Sequence, residues 1–126
     1  MFDLESKYLL FRHASPTEQY EDGTLLFEIG DPGEQMYIVK SGEVRLMIGD
    51  TVVEIVGPNG AFGEMALVDG SPRSARAICI GKTELVPVGL QRFRFLVQAS
   101  PDFSLAIMKM MADRVRARTH HLERTG

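Results

Sequence analysis

The chain has 126 residues, of which 44% are hydrophobic and 25% charged, values typical of a soluble globular protein. This length suits one domain, so we expect a single domain over residues 1–126. The net charge of -3 excludes a protein whose main task is to coat nucleic acid, because that affinity needs excess Lys and Arg.

The N-terminus shows no targeting signal. Met1 to Glu5 lack the basic start and apolar stretch of a signal peptide, and the apolar runs are far shorter than the roughly 20 residues of a membrane-spanning helix. We therefore expect a cytoplasmic protein with neither membrane nor nucleic acid as a partner. Asp3 to Phe11 is consistent with a short helix, and the polar residues from His13 to Gly23 predict a loop.

From about Thr24 to Val88, turn-forming residues interrupt the sequence at short intervals. They are Gly30-Asp31-Pro32-Gly33, Ser41-Gly42, Gly49-Asp50, Gly57-Pro58-Asn59-Gly60, Asp69-Gly70-Ser71-Pro72 and Gly81-Lys82. Short strands between regularly spaced turns predict an all-β barrel, sandwich or roll.

One hairpin can be predicted in more detail. Val44, Leu46 and Ile48 alternate with polar residues and should share one face of a strand. Gly49-Asp50 then predicts a two-residue turn into the strand Thr51 to Val56.

The only cysteine, Cys79, lies in an apolar run and predicts a small buried side chain. A single cysteine excludes an internal disulfide and a thiolate metal cage. The histidines have no recognisable metal-binding spacing; they are His13, His120 and His121. We expect no metal and no cofactor.

After Val88 the pattern becomes helical and predicts two helices, at about residues 90–97 and 102–121. Pro101 suits the start of the second, where Ser100 or Asp102 can cap exposed N–H groups. Its first turns are surrounded by apolar side chains, which should be buried on more than one side: Phe103, Ile107, Met108, Met110 and Met111. This stretch either packs on the β-domain or also forms a homodimer seam, because Met suits both roles.

The segment from Phe62 to Ala77 combines backbone donors, a carboxylate and a guanidinium. Gly63 lets the backbone approach a ligand, and the next four residues can form one helical turn with free N–H groups. Arg73 can bind two phosphate oxygens, and Ser74 can donate its hydroxyl and backbone N–H. Each residue alone has an ordinary structural explanation, but the set predicts a phosphate site.

Glu64 is unexpected beside a phosphate, because two negative charges repel each other. A carboxylate there can instead accept a hydrogen bond from a ribose hydroxyl, and nearby Arg73 would keep it ionised. Phosphate and ribose held in one short segment indicate a nucleotide whose phosphate and sugar lie very close together.

The cassette Phe62-Gly63-Glu64-Met65-Ala66-Leu67, followed by Pro72-Arg73-Ser74-Ala75, resembles the phosphate-binding cassette of cyclic nucleotide-binding domains. These are the sensor domains of catabolite activators and protein kinase A regulatory subunits. The resemblance covers about Gly23 to Leu122. It implies a mainly β, α+β fold: an antiparallel β-roll or jelly-roll barrel at about residues 24–88, a short cassette helix and two C-terminal helices.

The resemblance also implies roles for individual residues. Glu64 would bind the ribose 2′-OH, Arg73 the cyclic phosphate, and backbone N–H groups would complete the cradle. Those N–H groups belong to Gly63, Met65, Ala66, Ser74 and Ala75. In the family an Arg-Ser-Ala ending is associated mainly with cAMP, whereas Thr in place of Ser often accompanies cGMP, so Ser74 favours cAMP.

The purine is held elsewhere in the family, by β-roll aliphatic residues and by the last helix. The candidates here are Val44, Leu46, Ile55, Ala75, Ala77, Arg114, Arg118, Thr119 and His121. Two alternatives stay open: the strand residues can be plain core, and the basic helix residues can form a solvated face.

The predicted function is a cyclic nucleotide sensor rather than an enzyme, because no base partner for Ser74 and no metal set is evident. Only four residues follow Leu122, so we expect a signal that leaves through the last helix to a protein partner in trans or through homodimerisation. The alternative is an interaction or dimerisation module of the same fold with an unused or cGMP-preferring pocket.

Overall fold

The structure, a computed structural model, describes residues 16–125, with side chains for residues 16–117. The predicted mainly β fold with C-terminal helices is confirmed. The elements in this range are β1 Glu18–Tyr20, β2 Leu25–Phe27, β3 Gln35–Ile48, β4 Thr51–Val56, β5 Ala61–Phe62, α1 Met65–Val68, β6 Arg76–Gly89, α2 Leu90–Ala99 and α3 Pro101–Thr125. The segment Asp3 to Phe11 and the start of the loop predicted from His13 lie outside the described residues.

The long strands β3 and β6 form the centre of the sheet. They pair antiparallel from Gln35 opposite Gly89 to Met47 opposite Arg76. β1 and β2 also pair with β6, while β4 and β5 pair with β3. The cassette lies between β5 and β6 and contains α1. Because β5 pairs with β3, both ends of the cassette are attached to the central strand pair.

Two predicted turns are wrong. Ser41-Gly42 lies inside β3 and Gly81-Lys82 inside β6, where the pairing register shifts around Ser41. Gly42 has φ +86°, and a Cβ there would lie 2.6 Å from the Lys82 carbonyl oxygen. The glycine therefore permits a bulge and close contact between the two strands, and it does not end a strand.

The predicted loop from His13 to Gly23 is also partly wrong, because Glu18–Tyr20 forms β1 and pairs with β6. The predicted hairpin is confirmed, with Ile48 opposite Thr51 and Gly49 at φ +61°. Ile48, however, is 45% exposed, since the register shifts after Leu46 and the strand leaves the core.

Alternating residues of β3 face two separate cores. Tyr37 and Val39 belong to the core inside the roll, whereas Met36 and Ile38 pack against the helices. The period of two that defines a strand produces this division. Cys79 is buried in the inner core, as predicted, and burial raises the pKa of its thiol.

The C-terminal helices pack on the second core. Phe93 of α2 contacts Phe103 of α3 edge to face, with 5.8 Å between ring centroids. The Phe103 N–H donates to Ser100 Oγ at 3.2 Å, which supplies the predicted cap. Met108 departs from the prediction of burial, since 60% of it is exposed. No helix in the described range is long and apolar enough to cross a membrane.

Candidate functional site

The cassette begins where β5 ends at Phe62. Gly63 follows with φ +83°, a left-handed conformation that favours glycine, and redirects the chain into α1. The N–H groups of Leu67 and Val68 both donate to the Glu64 carbonyl oxygen. The N–H groups of Met65 and Ala66 lie before Leu67 in the chain, at the start of the helix, where N–H groups have no partner within the helix.

The main chain of Arg73 is held by the β2–β3 connection. Its N–H donates to the Asp31 carbonyl oxygen at 2.8 Å, and its carbonyl oxygen accepts from the Gly30 N–H at 2.8 Å. The predicted turn at residues 30–33 thus fixes the backbone that carries the guanidinium.

The Arg73 side chain is buried, with 7% of the residue exposed. Nη1 donates to the Gly63 carbonyl oxygen at 3.1 Å and Nη2 to the Gln35 carbonyl oxygen at 2.7 Å. The guanidinium carbon lies 4.1 Å from the centre of the Phe27 ring, a cation–π contact. Nε is buried and has no hydrogen-bond partner among the described residues.

These contacts leave the charge of Arg73 incompletely compensated. Burial lowers the pKa of its guanidinium, although the charges of Tyr37, Asp31 and Glu64 act in the opposite direction. A buried N–H without a partner costs free energy, and this donor is therefore suited to an anion that enters the site.

Two glycines leave the space that Arg73 occupies. A Cβ at Gly33 would lie 2.7 Å from its guanidinium carbon, and a Cβ at Gly63 would lie 2.7 Å from Nη1. Any larger residue at either position must displace the guanidinium.

A cavity of about 240 Å³ lies against the cassette, and we call it the cassette cavity. Its lining contains every residue that the sequence predicted for phosphate and ribose. Its lining residues are Phe27, Leu46, Gly63, Glu64, Met65, Ala66, Ser71, Pro72, Arg73, Ser74, Ala75, Met111, Arg114 and Val115.

Glu64 is 3% exposed, and its carboxylate contacts Arg114 of α3. Arg114 Nη1 donates to Glu64 Oε1 at 2.5 Å. The Arg73 Nη groups donate to carbonyl oxygens rather than to this carboxylate, although the charges of Arg73 and Glu64 interact.

Arg114 also contacts two strands. Its Nε and Nη2 donate to the two oxygens of Glu54 in β4, at 2.6 and 2.9 Å, and Nη2 donates to the Ala61 carbonyl oxygen. We call these contacts, with that to Glu64, the Arg114 network. Burial alone would lower the pKa of Arg114, but hydrogen bonds and charges from Glu54 and Glu64 outweigh burial and raise it. The network neutralises a partly buried arginine and attaches α3 to the cassette.

The residues predicted to hold the purine divide into several groups. Leu46, Ala75 and Arg114 line the cassette cavity. Val44 and Ala77 are buried in the inner core and are not among its lining residues. Ile55 lines a separate cavity between β4 and α3. The side chains of Arg118, Thr119 and His121 lie outside the described residues.

Sequence reasoning missed several residues of this site. Phe27, Met111 and Val115 line the cavity, and Glu54 fixes Arg114. Phe27 and Glu54 lie in strands with no cassette pattern, so only the tertiary pairing brings them close. The helical spacing of Met111, Arg114 and Val115 was the one signal that could have found part of this set, since residues three and four apart share a helix face.

The described side chains can also be searched for a metal-binding arrangement. Among residues 16–117 no group of three or more His, Cys, Asp or Glu side chains is placed to hold a metal ion. The charged groups that line the cassette cavity are the guanidinium groups of Arg73 and Arg114 and the carboxylate of Glu64.

The chain is similar in sequence to known proteins. The family model for the cyclic nucleotide-binding domain matches residues 17–100. The cyclic AMP receptor protein of Thermus thermophilus is 33% identical over 102 residues, which cover 77% of this chain and 47% of that protein. The chain thus spans about half the length of this relative and of a CRP-like cAMP-activated global transcriptional regulator of Mycobacterium tuberculosis, which is 29% identical over 107 residues.

Two solved structures extend the comparison. The catabolite activator protein of Thermus thermophilus superposes with a TM-score of 0.80 and 29% identity, covering 94% of this chain and 58% of that one. A structure from work on a cyclic-GMP-dependent signalling pathway in bacterial phytopathogenesis superposes with a TM-score of 0.76 and 28% identity. That match covers 88% of this chain and 92% of the other.

Proposed function

This chain belongs to the cyclic nucleotide-binding domain family, and we propose that it is a sensor that binds cAMP and signals through α3. The observation that carries the proposal is Arg73, whose buried guanidinium lines the cassette cavity and whose Nε has no hydrogen-bond partner among residues 16–117. Its charge would be compensated by the single negative charge of a cyclic phosphate.

The remaining donors suit the other phosphate oxygens. The N–H groups of Met65 and Ala66 and the hydroxyl of Ser74 belong to residues that line the same cavity. A desolvated phosphate without such donors would lose several kcal/mol, so preorganised donors are what this ligand requires. The N–H groups of Gly63 and Ala75 complete the proposed cradle.

Glu64 would accept a hydrogen bond from the ribose 2′-OH. Its Oε1 atom contacts Arg114, and the residue lines the cavity beside Arg73. Arg73 and Glu64 would thus bind a phosphate and a 2′-OH that lie close together. A nucleoside 3′,5′-cyclic phosphate has both groups close together, because the phosphate forms a ring with the sugar.

The choice of base is proposed from one residue. Ser74 at the end of the Arg-Ser-Ala sequence favours cAMP, in line with the cyclic AMP receptor protein among the relatives. cGMP is the second candidate, because the Ser74 hydroxyl can serve a guanine and one similar structure comes from work on a cGMP-dependent pathway.

The Arg114 network provides a route for the signal. A ribose hydroxyl at Glu64 contacts the carboxylate that Arg114 binds, and Arg114 belongs to α3. The ligand can bias the position of α3 only by its different affinity for two arrangements of this contact. We therefore propose that binding changes how α3 presents itself to a protein partner.

A second copy of the chain is the partner we propose first. Leu105, Met108 and Val115 on α3 are exposed apolar residues, and their spacing of three and seven places them on one face. Sedimentation of the purified chain with and without cAMP tests this proposal. A dimer is expected in at least one state, and a monomer in both at high concentration would contradict it.

We also propose that the chain does not transform its ligand. Within residues 16–117, no group of three or more His, Cys, Asp or Glu side chains is placed to hold a metal ion. Incubation with cAMP should return the nucleotide intact, whereas formation of AMP would contradict this.

Calorimetric titration tests the proposed ligand directly. The purified chain should bind cAMP saturably and more tightly than cGMP, and 5′-AMP, which lacks the cyclic phosphate, should bind at least tenfold more weakly than cAMP. Absence of saturable binding with both cyclic nucleotides would overturn the proposal. Tighter binding of cGMP than of cAMP would make cGMP the proposed ligand.

A further inference from the structure

Glu54 contacts the site without lining the cassette cavity. It lies on β4, an outer strand of the sheet, and belongs to the neighbouring cavity between β4 and α3. Its carboxylate nevertheless accepts hydrogen bonds from Nε and Nη2 of Arg114, at 2.6 and 2.9 Å. Glu54 thus holds the guanidinium by Nε and Nη2, whereas Glu64 accepts from Nη1.

The geometry of a guanidinium explains why this orientation matters. Arginine can present two N–H groups to one carboxylate and bind both its oxygens. In Arg114 the edge formed by Nε and Nη2 is taken by Glu54, and Nη1 donates to Oε1 of Glu64. The pairing with Glu54 is bidentate, whereas the pairing with Glu64 uses one oxygen among the described contacts.

We propose that Glu54 is a positioning residue that keeps one oxygen of Glu64 available to the sugar of the ligand. Without the Glu54 carboxylate, the guanidinium can turn and bind Glu64 with two N–H groups. Both oxygens of Glu64 would then be occupied, and a ribose 2′-OH would have to displace one of these bonds. The inference rests on the proposed function, because it assigns Glu64 to the ribose of a cyclic nucleotide.

The experiment compares cAMP with 2′-deoxy-cAMP on the wild-type chain and on Glu54→Gln. The measured quantity is the dissociation constant of 2′-deoxy-cAMP divided by that of cAMP. This ratio reports how much the 2′-OH contributes to binding. Removal of a negative charge near the site also changes the attraction for the phosphate. That change affects both nucleotides equally and cancels in the ratio.

In the wild-type chain, 2′-deoxy-cAMP should bind more weakly than cAMP. In Glu54→Gln we expect the ratio to fall about fivefold, which is within the range of coupling between groups in one hydrogen-bond network. Glu54→Ala should lower the ratio in the same direction, and it serves as a second variant if Gln provides a substitute acceptor. Thermal unfolding confirms that each variant is folded.

The matched control is Glu43→Gln. Glu43 lies on the adjacent strand β3 and pairs with Arg45, at 3.1 Å, so this variant removes one carboxylate charge without touching the Arg114 network. Its ratio should equal that of the wild-type chain.

The outcomes separate this inference from the proposed function. If the ratio is the same in wild type and in both Glu54 variants, or if it is one throughout, the inference is overturned although cyclic nucleotide binding stands. If the wild-type chain binds neither nucleotide, the proposed function itself fails.

Discussion

Two arginines, the buried Arg73 of the cassette and the partly buried Arg114 of α3, lie beside the same cavity and have opposite surroundings. Arg73 donates to two carbonyl oxygens and retains a buried Nε without a partner among the described residues. Arg114 donates to two carboxylates and a carbonyl oxygen. The pKa of the first is lowered, chiefly by burial, while carboxylates raise that of the second despite its burial.

This difference shows how one residue type can serve two purposes. A guanidinium surrounded by neutral acceptors keeps its charge available to an anion, whereas one neutralised by carboxylates connects structural elements. We therefore propose that Arg73 binds the ligand and that Arg114 connects the ligand to α3.

Arg73→Ala tests the ligand side of the comparison and should have the largest effect. A charge-assisted hydrogen bond to the phosphate, of about 2.7 kcal/mol, corresponds to a loss of about 100-fold in cAMP affinity by calorimetry. Arg116→Ala removes an exposed arginine of α3 that pairs with Asp113, and it should bind cAMP like the wild-type chain. Equal affinities in all three proteins would remove Arg73 from the site.

Glu64→Gln changes the residue that contacts Arg114 and lines the same cavity as Arg73. The carboxylate accepts stronger hydrogen bonds than the amide, so cAMP affinity should fall about tenfold, and 2′-deoxy-cAMP affinity should change less. Competition binding with both nucleotides gives the two values. If both fall equally, Glu64 does not bind the ribose.

Gly63→Ala sharpens the comparison by moving Arg73 without changing its chemistry. The added Cβ would lie 2.7 Å from Nη1, so the guanidinium must shift and cAMP affinity should fall about fivefold. Since φ is +83°, the backbone strain should also reduce the free energy of unfolding by about 1 kcal/mol.

Gly70→Ala is the matched control. Gly70 also has a positive φ, +72°, but an added Cβ there meets no atom within 4 Å. It should show a similar loss of stability in urea unfolding without the loss of affinity. A loss of affinity in Gly70→Ala as large as in Gly63→Ala would mean that strain, rather than displacement of Arg73, explains the effect.

Ser74→Ala should give the smallest change. One hydroxyl that donates to the phosphate contributes about 0.7 kcal/mol, or about threefold in affinity. Ser71→Ala is the comparison variant, because the Ser71 hydroxyl already donates to Asp69 at 2.5 Å and should add little to binding. A larger loss in Ser71→Ala than in Ser74→Ala would reverse the assignment of the phosphate donor.

The two arginines also differ in how far the sequence predicts them. Arg73 and its neighbours lie within sixteen consecutive residues, Phe62 to Ala77, where local turns and one helical turn determine the geometry. Arg114 contacts Glu64 across 50 residues and Glu54 across 60, so its partners depend on how α3 packs. The sequence therefore identified residues that the structure brings to one cavity, but it did not identify the partners of Arg114.

The same distinction applies to the fold. The hairpin at Gly49-Asp50 was predicted because a two-residue turn is a local structure. Gly42 and Gly81 carry the same local signal, yet both lie within long strands. A glycine with positive φ serves a bulge as well as a turn, and only the pairing of β3 with β6 decides between them.

The most direct test of the account observes the Nε–H groups of the arginines by nitrogen-edited NMR during titration with cAMP, with Arg73→Ala and Arg114→Lys used for assignment. The Arg73 signal should move as the nucleotide saturates the site, because its Nε–H gains a phosphate acceptor. The Arg114 signal should change much less, since its Nε–H already donates to Glu54. An Arg73 signal that stays at its ligand-free position at saturating cAMP would contradict the central claim.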